Sequence, residues 1–242
     1  RNIVLSMAIA GALAGAGAAL YYLSGLRVLC VDCDIGLRNL DIALGLSDAA
    51  LMDFSDVAQQ RCTLERAVVS HPQLAKLSLL TAPIRQRGQP VTGEQMASLL
   101  RAVRIQYDFC LLDAPAGLGD GFLLATAAAD RCVVVTTADA SSLRDAQHTV
   151  MELGRFGPGK LHLVVNRVRK KLLRSMHATI DDAMDKAGLP LLGVVPEDDA
   201  LPLALNRGSP ILLSAPASPA SSAYRNIATR LRGGKAPLLR IK

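Results

Sequence analysis

The 242-residue chain predicts an α/β fold: a doubly wound, mainly parallel sheet of seven to eight strands with helices on both faces. Three observations point there. Short apolar runs recur along the chain, most of them continuous in Val, Leu and Cys rather than alternating. Strands buried on both faces of a parallel sheet read this way. Helix-like segments separate the runs, so strand and helix alternate as in right-handed crossover units. Finally, 50% of the residues are hydrophobic but only 3% are aromatic, with no Trp. A core of Ala, Leu, Val and Ile is therefore available, large enough for one domain of this length.

The strand-like runs are 2–6, 27–32, 76–81, 107–113, 131–137, 160–166 and 189–195. Helices are predicted over 8–23, 54–68, 93–105, 120–129, 142–154, 172–187 and 217–232. Ile3 to Leu26 carries no charge, and Gly11 and Gly15 form a GxxxG. A membrane span or signal segment would fit that alone. The stretch is rich in weakly apolar Ala and Gly, however, and the next strands need a first partner, so a buried strand and helix are expected. Thr92, with Gln95 three residues on, predicts a capping box. Gly154 and Gly157-Pro158-Gly159 end the preceding helix. Arg85–Pro90 reads as an exposed loop, and Ala215–Ser222 as a loop or frayed helix start. One domain over 1–232 and a basic tail over 233–242 are the expected organisation.

The formal charge is +6. That excess is compatible with an anionic membrane surface or a nucleic acid and establishes neither. Arg225, Arg230, Arg232, Lys235, Arg240 and Lys242 crowd the C-terminal end. Cys30, Cys33, Cys110 and Cys132 lie in apolar runs and read as buried reduced thiols, which suits a reducing compartment. Cys30 and Cys33 have CxxC spacing, but on a strand an i, i+3 pair points to opposite faces, against a shared metal. The four histidines are scattered without metal spacing, and Ser141-Ser142 has no paired base, so neither is given chemistry.

Chemistry gathers at the carboxyl ends of the strands, where open α/β sheets bind ligands. Asp32 and Asp34 end the second run, spaced to share a strand face. Asp113 ends the fourth and leads into Ala114-Pro115-Ala116-Gly117, whose tight turn offers backbone N–H groups to a phosphate. Carboxylates so placed suit Mg²⁺ and an attacking water in phosphoryl transfer. Asn166-Arg167 and Pro196-Glu197-Asp198 close two later strands; an Asn side chain and strand-end backbone suit a purine edge, and turn formation is the plainer alternative.

The words Val31-Asp32-Cys33-Asp34-Ile35-Gly36-Leu37-Arg38-Asn39-Leu40-Asp41, Asp113-Ala114-Pro115-Ala116-Gly117, Ser141-Ser142-Leu143-Arg144-Asp145, Asn166-Arg167 and Gly193-Val194-Val195-Pro196-Glu197-Asp198 resemble the MinD branch of the MinD/ParA ATPases, from Arg27 to about Asn226. The resemblance implies a P-loop NTPase-like fold using ATP/ADP and Mg²⁺. It implies a cytoplasmic, peripherally membrane-associated ATPase that forms a homodimer with ATP and works with division-inhibitor and activator proteins; nucleic acid is not an expected partner. It implies that Asp34 orients water, that Asp32 supports the switch, and that Asp113 serves Mg²⁺, directly or through water, with Asp34 beside it. It places Asn166, Pro196 and Asp198 at the adenine and Ser141–Asp145 near the dimer and effector surface; Arg167 and Glu197, at the same strand ends, and Gly117, in the turn after Asp113, are read beside them as nucleotide-binding candidates.

Two departures matter. The family's Gly-Lys-rich phosphate loop should follow the first strand, between Ser6 and Met7, yet no lysine precedes Lys76. Without it the phosphates lack a counter-charge, and ATP affinity and hydrolysis should fall severely. An ATPase is expected if such a loop exists, and a non-hydrolysing binding module on the same scaffold if it does not. A partitioning or flagellar-number relative is a further alternative. The second departure is the C-terminus, where Gly233-Gly234 and Pro237 interrupt any amphipathic anchor helix before Leu238, Leu239 and Ile241. A solvated basic tail or a weak membrane contact is expected there.

Overall fold

The computed structural model describes residues 3–7 (backbone), 15–20, 25–47, 49–85 and 88–238. They build one eight-stranded sheet in the order β3-β4-β2-β5-β1-β6-β7-β8. The strands are β1 (Ile3–Met7), β2 (Val28–Asp32), β3 (Val69–Ser70), β4 (Leu77–Leu80), β5 (Phe109–Asp113), β6 (Arg131–Thr136), β7 (Leu161–Val168) and β8 (Leu191–Pro196). All pairings are parallel except the short β3–β4 edge, which is antiparallel. Val69–Ser70 is too short and too polar to read as a strand from sequence; it forms because it caps the outer edge of β4.

The uncharged N-terminal stretch is not a span: β1 sits inside the sheet between β5 and β6. Residues 15–20 (α1) are helical and buried. A Cβ on Gly17 would meet Cys30 Sγ at 2.8 Å, and one on Gly15 the Tyr224 ring at 2.7 Å. The Gly/Ala composition thus serves close helix packing rather than membrane insertion. The rest of the predicted 8–23 helix lies outside the described residues. Among the described residues no helix is long and apolar enough to cross a membrane.

Two predicted helices are each divided. The 54–68 segment becomes α3 (Phe54–Ala58) and α4 (Leu64–Ala67), separated where Gln60 takes φ 60°. The 172–187 segment becomes α8 (Lys170–Ser175) and α9 (Ile180–Ala187), separated at His177 with φ 50°. Apolar periodicity does not register such left-handed residues. The remaining helices are α2 (Leu40–Ala43), α5 (Gly93–Gln106), α6 (Asp120–Ala127), α7 (Ala140–Glu152), α10 (Ala200–Asn206), α11 (Ile211–Ser214) and α12 (Pro219–Leu231). α2, α10 and α11 are too short for a periodic signal. The Thr92–Gln95 capping box forms as predicted.

Two apolar layers cover the sheet. One, with Tyr224, Ile227 and Leu40, lies under α1, α2 and α12; the other, with Met96, Phe122 and Leu143, lies under α5, α6 and α7. Cys30 packs in the first layer and Cys33 in the second, so the CxxC pair does point to opposite faces. Burial pushes both thiols well above the usual range, which leaves them inert.

The tail is not wholly solvated. Asn226 Nδ2 donates to Pro237 O at 3.1 Å, and Arg230 Nε to Ala236 O at 2.9 Å. Residues 235–238 therefore run back along α12 and bring Leu238 beside Ile180, Met184 and Leu191. Residues 239–242 lie outside the described residues, as do 86 and 87 of the predicted 85–90 loop.

Candidate functional site

Three adjacent strands end together. In register, Asp113 pairs with Asp32 on one side and with Met7 on the other. Both carboxylates are buried, Asp32 at 1% and Asp113 at 4% exposure. Sheet order, not sequence proximity, brings them together, as the sequence predicted for the first, second and fourth runs.

Asp34 does not share a strand face with Asp32, against the expectation from their spacing. β2 stops at Asp32, so Asp34 lies in the following loop and is not on a shared strand face. The loop is instead held by Asp32, whose Oδ1 accepts from Asp34 N at 2.8 Å and Oδ2 from Leu40 N at 3.1 Å. Burial raises the Asp32 carboxyl above the usual range while those two N–H groups pull the other way. Burial also raises Asp34.

More backbone bonds brace the loop. Cys33 N donates to Asp113 O at 3.0 Å, and Gly36 N to Pro83 O at 3.2 Å. Gly36 has φ +96° with open space around it, so conformation rather than crowding asks for glycine. The Arg38 Nε–Asp41 Oδ2 contact of 2.9 Å closes the far end. Gly121, in the first turn of α6, completes the site's rim. A Cβ there would sit 2.4 Å from Cys33 O and 2.7 Å from Pro115 Cγ. Neither Gly121 nor the Arg38–Asp41 pair was singled out from sequence, because each acts through a contact distant in sequence or a single polar pair.

The phosphate loop expected between Ser6 and Met7 is absent there. β1 runs unbroken through both residues, in register with Leu112 and Asp113. The segment 8–14 lies outside the described residues, and its sequence holds no cation.

Gly117 takes φ +89° in the exposed turn after β5. Next to it a cavity of about 570 Å³ opens between this turn, α6 and α7, lined by Pro115, Leu118, Ser142, Asp145 and Thr149 among others. Asp139 caps α7: its Oδ1 accepts from Ser142 N at 3.0 Å and from Ser141 Oγ at 2.8 Å. The Thr137 hydroxyl, then these donors, hold its carboxyl below the usual range. Ser141, Arg144 and Asp145 are exposed on α7. Both serine hydroxyls serve the cap.

The β7–β8 end gathers the other predicted residues. Asn166 is buried, and its Oδ1 accepts from Arg167 N at 2.9 Å. Its Nδ2 is the group that would meet a base. Arg167, at φ 54° in the β7 irregularity, pairs with Glu197 at 3.0 Å, and Arg169 reaches the same carboxylate at 3.6 Å. The Arg167 hydrogen bond lowers the Glu197 carboxyl. Pro196 closes β8. Asp198 is occupied structurally, with Oδ1 accepting from Ala200 N and Oδ2 from Ala220 N, both at 3.0 Å. It fixes the start of α12.

Among the described residues no group of three or more His, Cys, Asp or Glu side chains closes around a metal. Mg²⁺ usually takes one or two protein carboxylates and completes its shell with water and phosphate oxygens. Asp113, with Asp34 in the loop that Cys33 N ties to Asp113 O, supplies that number of carboxylates.

The profile of the CobQ/CobB/MinD/ParA nucleotide binding domain matches residues 12–211. The septum site-determining protein MinD of Synechocystis sp. is 35% identical over 227 residues, which is 93% of this chain and 85% of that protein. The septum site-determining protein MinD of Bacillus subtilis is 37% identical over 220 residues, 88% of this chain and 81% of that protein. The MinC:MinD cell division protein complex of Aquifex aeolicus superposes with a TM-score of 0.89 at 31% identity, covering 99% of both chains.

Proposed function

This chain belongs to the MinD branch of the CobQ/CobB/MinD/ParA nucleotide-binding family, and on that premise we propose that it acts in placing the cell-division site. The observation that carries the reading is the paired strand ends: Asp113 beside Asp32, with Asp32 bracing the loop that presents Asp34. In this reading an adenine nucleotide lies across the carboxyl ends of the sheet. Asn166 Nδ2 and the backbone after Pro196 face the base, and Arg167 and Glu197 brace that end. Asp34 and Asp113 hold Mg²⁺, which when bound neutralises phosphate charge.

Two molecules meet over this face. Leu37, Leu51 and Ile84 stand exposed there, at 72%, 93% and 64%, an apolar area of the kind that marks an interface. The α7 surface with Ser141, Arg144 and Asp145 is offered to a division-inhibitor or activator protein. The chain works at the inner, anionic membrane surface from the cytoplasm, with the nucleotide-binding fold as one unit that includes the returning tail as far as Leu238.

A second reading has its own observation. No Lys or Arg occurs from Asn2 to Leu26, so the phosphate end has no cation from the segment that follows β1. Positioning and charge stabilisation supply nearly all the catalysis of phosphoryl transfer. Hydrolysis is therefore slow, and the nucleotide acts as a ligand that sets conformation. Septum position in cells deprived of their own MinD, with and without this chain, tests the role, and phosphate release by the purified chain separates the readings. Restored mid-cell septa support division-site placement, and unchanged misplacement contradicts it. Release at the buffer rate supports a binding module; release in the range of ~1 s⁻¹ and above returns the chain to the ATPases.

A further inference from the structure

A second cavity, of about 600 Å³, opens past the ends of β2 and β4, lined by Arg38, Leu51, Asp53, Asp56, Ile84 and Arg85 among others. Phe54 N donates to Thr81 O at 2.9 Å and Gly36 N to Pro83 O at 3.2 Å, so its walls come from three loops gathered beyond those strands. None of Asp32, Asp34 and Asp113 lines it, which sets it apart from the nucleotide crevice. Its carboxylates are already engaged. Asp53 caps α3, with Oδ1 accepting from Ser55 N at 2.8 Å and Asp56 N at 3.2 Å. Asp56 accepts from Asp53 N at 3.1 Å and from Arg61 Nε at 2.8 Å. Arg61 is engaged in the same wall, its Nη2 reaching Ser55 Oγ at 3.2 Å. Two other cations are not. Arg38 gives its Nε to Asp41; among the described residues no acceptor meets its Nη groups, although the side chain is 13% exposed. Arg85 is exposed and joins no ion pair among the described residues.

We propose that this cavity receives an acidic peptide segment of a partner protein, its carboxylate on Arg38 and Arg85 and its aliphatic side chain on the rim. A guanidinium offers a planar fork of donors that a carboxylate fits, and a mostly buried charge with unmet donors gains most from such a partner. Leu51 and Ile84 stand 93% and 64% exposed at the mouth, so the segment carries an aliphatic residue beside its acidic one. A free oxyanion would fill a small part of about 600 Å³ and leave this rim in water. A nucleic acid would meet Asp53 and Asp56 as like charges, and no aromatic side chain stands among the described lining residues to stack on a base. Leu51 and Ile84 also belong to the face proposed above for a second molecule, so an occupied cavity and that contact exclude each other.

The test is fluorescence anisotropy of the nucleotide-free full chain with a labelled tetrapeptide of alternating leucine and glutamate, against the same peptide with glutamine in place of glutamate. The wild type should bind the glutamate peptide about tenfold more tightly or better, the contribution of one charge-assisted hydrogen bond. Arg38→Gln and Arg85→Gln should each lose about tenfold, and Leu51→Ser about fivefold. Arg38 also ties Asp41, so hydrogen exchange at Asp34 and Leu40 is followed in each variant; Arg85→Gln should leave it unchanged. Equal binding of the two peptides, or full binding by the double variant Arg38→Gln, Arg85→Gln, overturns the proposal. Loss confined to Arg38→Gln, with faster exchange in the loop, is a folding effect and overturns it as well. Inorganic phosphate that displaces the labelled peptide as well as unlabelled peptide does assigns the cavity to a free anion and overturns the peptide partner. Binding is read without nucleotide, so each of these results stands apart from the test of division-site placement.

Discussion

The two ends of the site have opposite charge and opposite rigidity. Between Val28 and Gln60 the chain has six Asp and one Arg. Its central loop is clamped by backbone hydrogen bonds to Asp32, Asp113 and Pro83. Across the sheet, at the end of β7, Arg167 and Arg169 share Glu197, and Lys170, Lys171 and Arg174 stand in solvent on the short helix that follows. The first region spends its carboxylates on geometry and on a cation; the second keeps its charges outward for something that is not part of the fold. Buried polar groups are fixed because each must find a partner, whereas exposed ones are left free to meet one.

The sharpest way to break this contrast is to remove geometry from the braced end. Gly45 has φ +67°, and a Cβ there would lie 1.9 Å from the Gly208 carbonyl oxygen. Gly45→Ala should therefore cost about 3 kcal/mol or more, because both the conformation and the contact are with backbone. Thermal unfolding should show a drop of several degrees; an unchanged Tm would mean that α2 does not depend on this close approach. Asp32→Ala comes next. It strands two loop N–H groups at about 1–3 kcal/mol each, and hydrogen exchange at Asp34 and Leu40 should accelerate while β7 and β8 stay protected. Equal exchange in variant and wild type would remove Asp32 from the bracing role.

A smaller effect is predicted at the α7 cap. Asp139→Ala should cost about 1–2 kcal/mol, as N-cap losses do. The folded-state carboxyl is lowered by the Thr137, Ser142 and Ser141 donors, so its stabilisation is present above the ordinary Asp pKa and is lost as pH falls through the folded value. The gap between wild type and variant, followed by denaturant unfolding, should hold at neutral pH and narrow on acidification. A gap that widens in acid would contradict the cap. The smallest effect belongs to the exposed end: Arg167→Ala should change stability by no more than about 1 kcal/mol, because its ion pair is solvated. A larger loss would mean that this end is as braced as the other.

Much of this was legible in the sequence. All seven apolar runs became strands because burial on both faces leaves a continuous apolar signature, and the two central carboxylates were readable as strand ends. What escaped depended on single dihedral angles and distant contacts. The left-handed Gln60 and His177 divided two helices, Val69–Ser70 needed β4 to pair with, and the hold of Asp198 on the start of α12 needed Ala220 N from another segment. The same limit hid Gly121, whose partners Cys33 and Pro115 come from two other segments. The α8 cation run was readable as a count, but it took the fold to put it at the same end of the sheet as the site.

The central claim is that Asp113 and the loop braced by Asp32 form the Mg²⁺ end of an adenine-nucleotide site. Titration calorimetry of the full chain with ADP, with and without Mg²⁺, and of Asp113→Ala under the same conditions, tests it most directly. The account predicts Mg²⁺-dependent binding by the wild type, and binding by Asp113→Ala that is weaker and no longer responds to the metal. Binding that ignores Mg²⁺ in the wild type, or survives unchanged in Asp113→Ala, would contradict it.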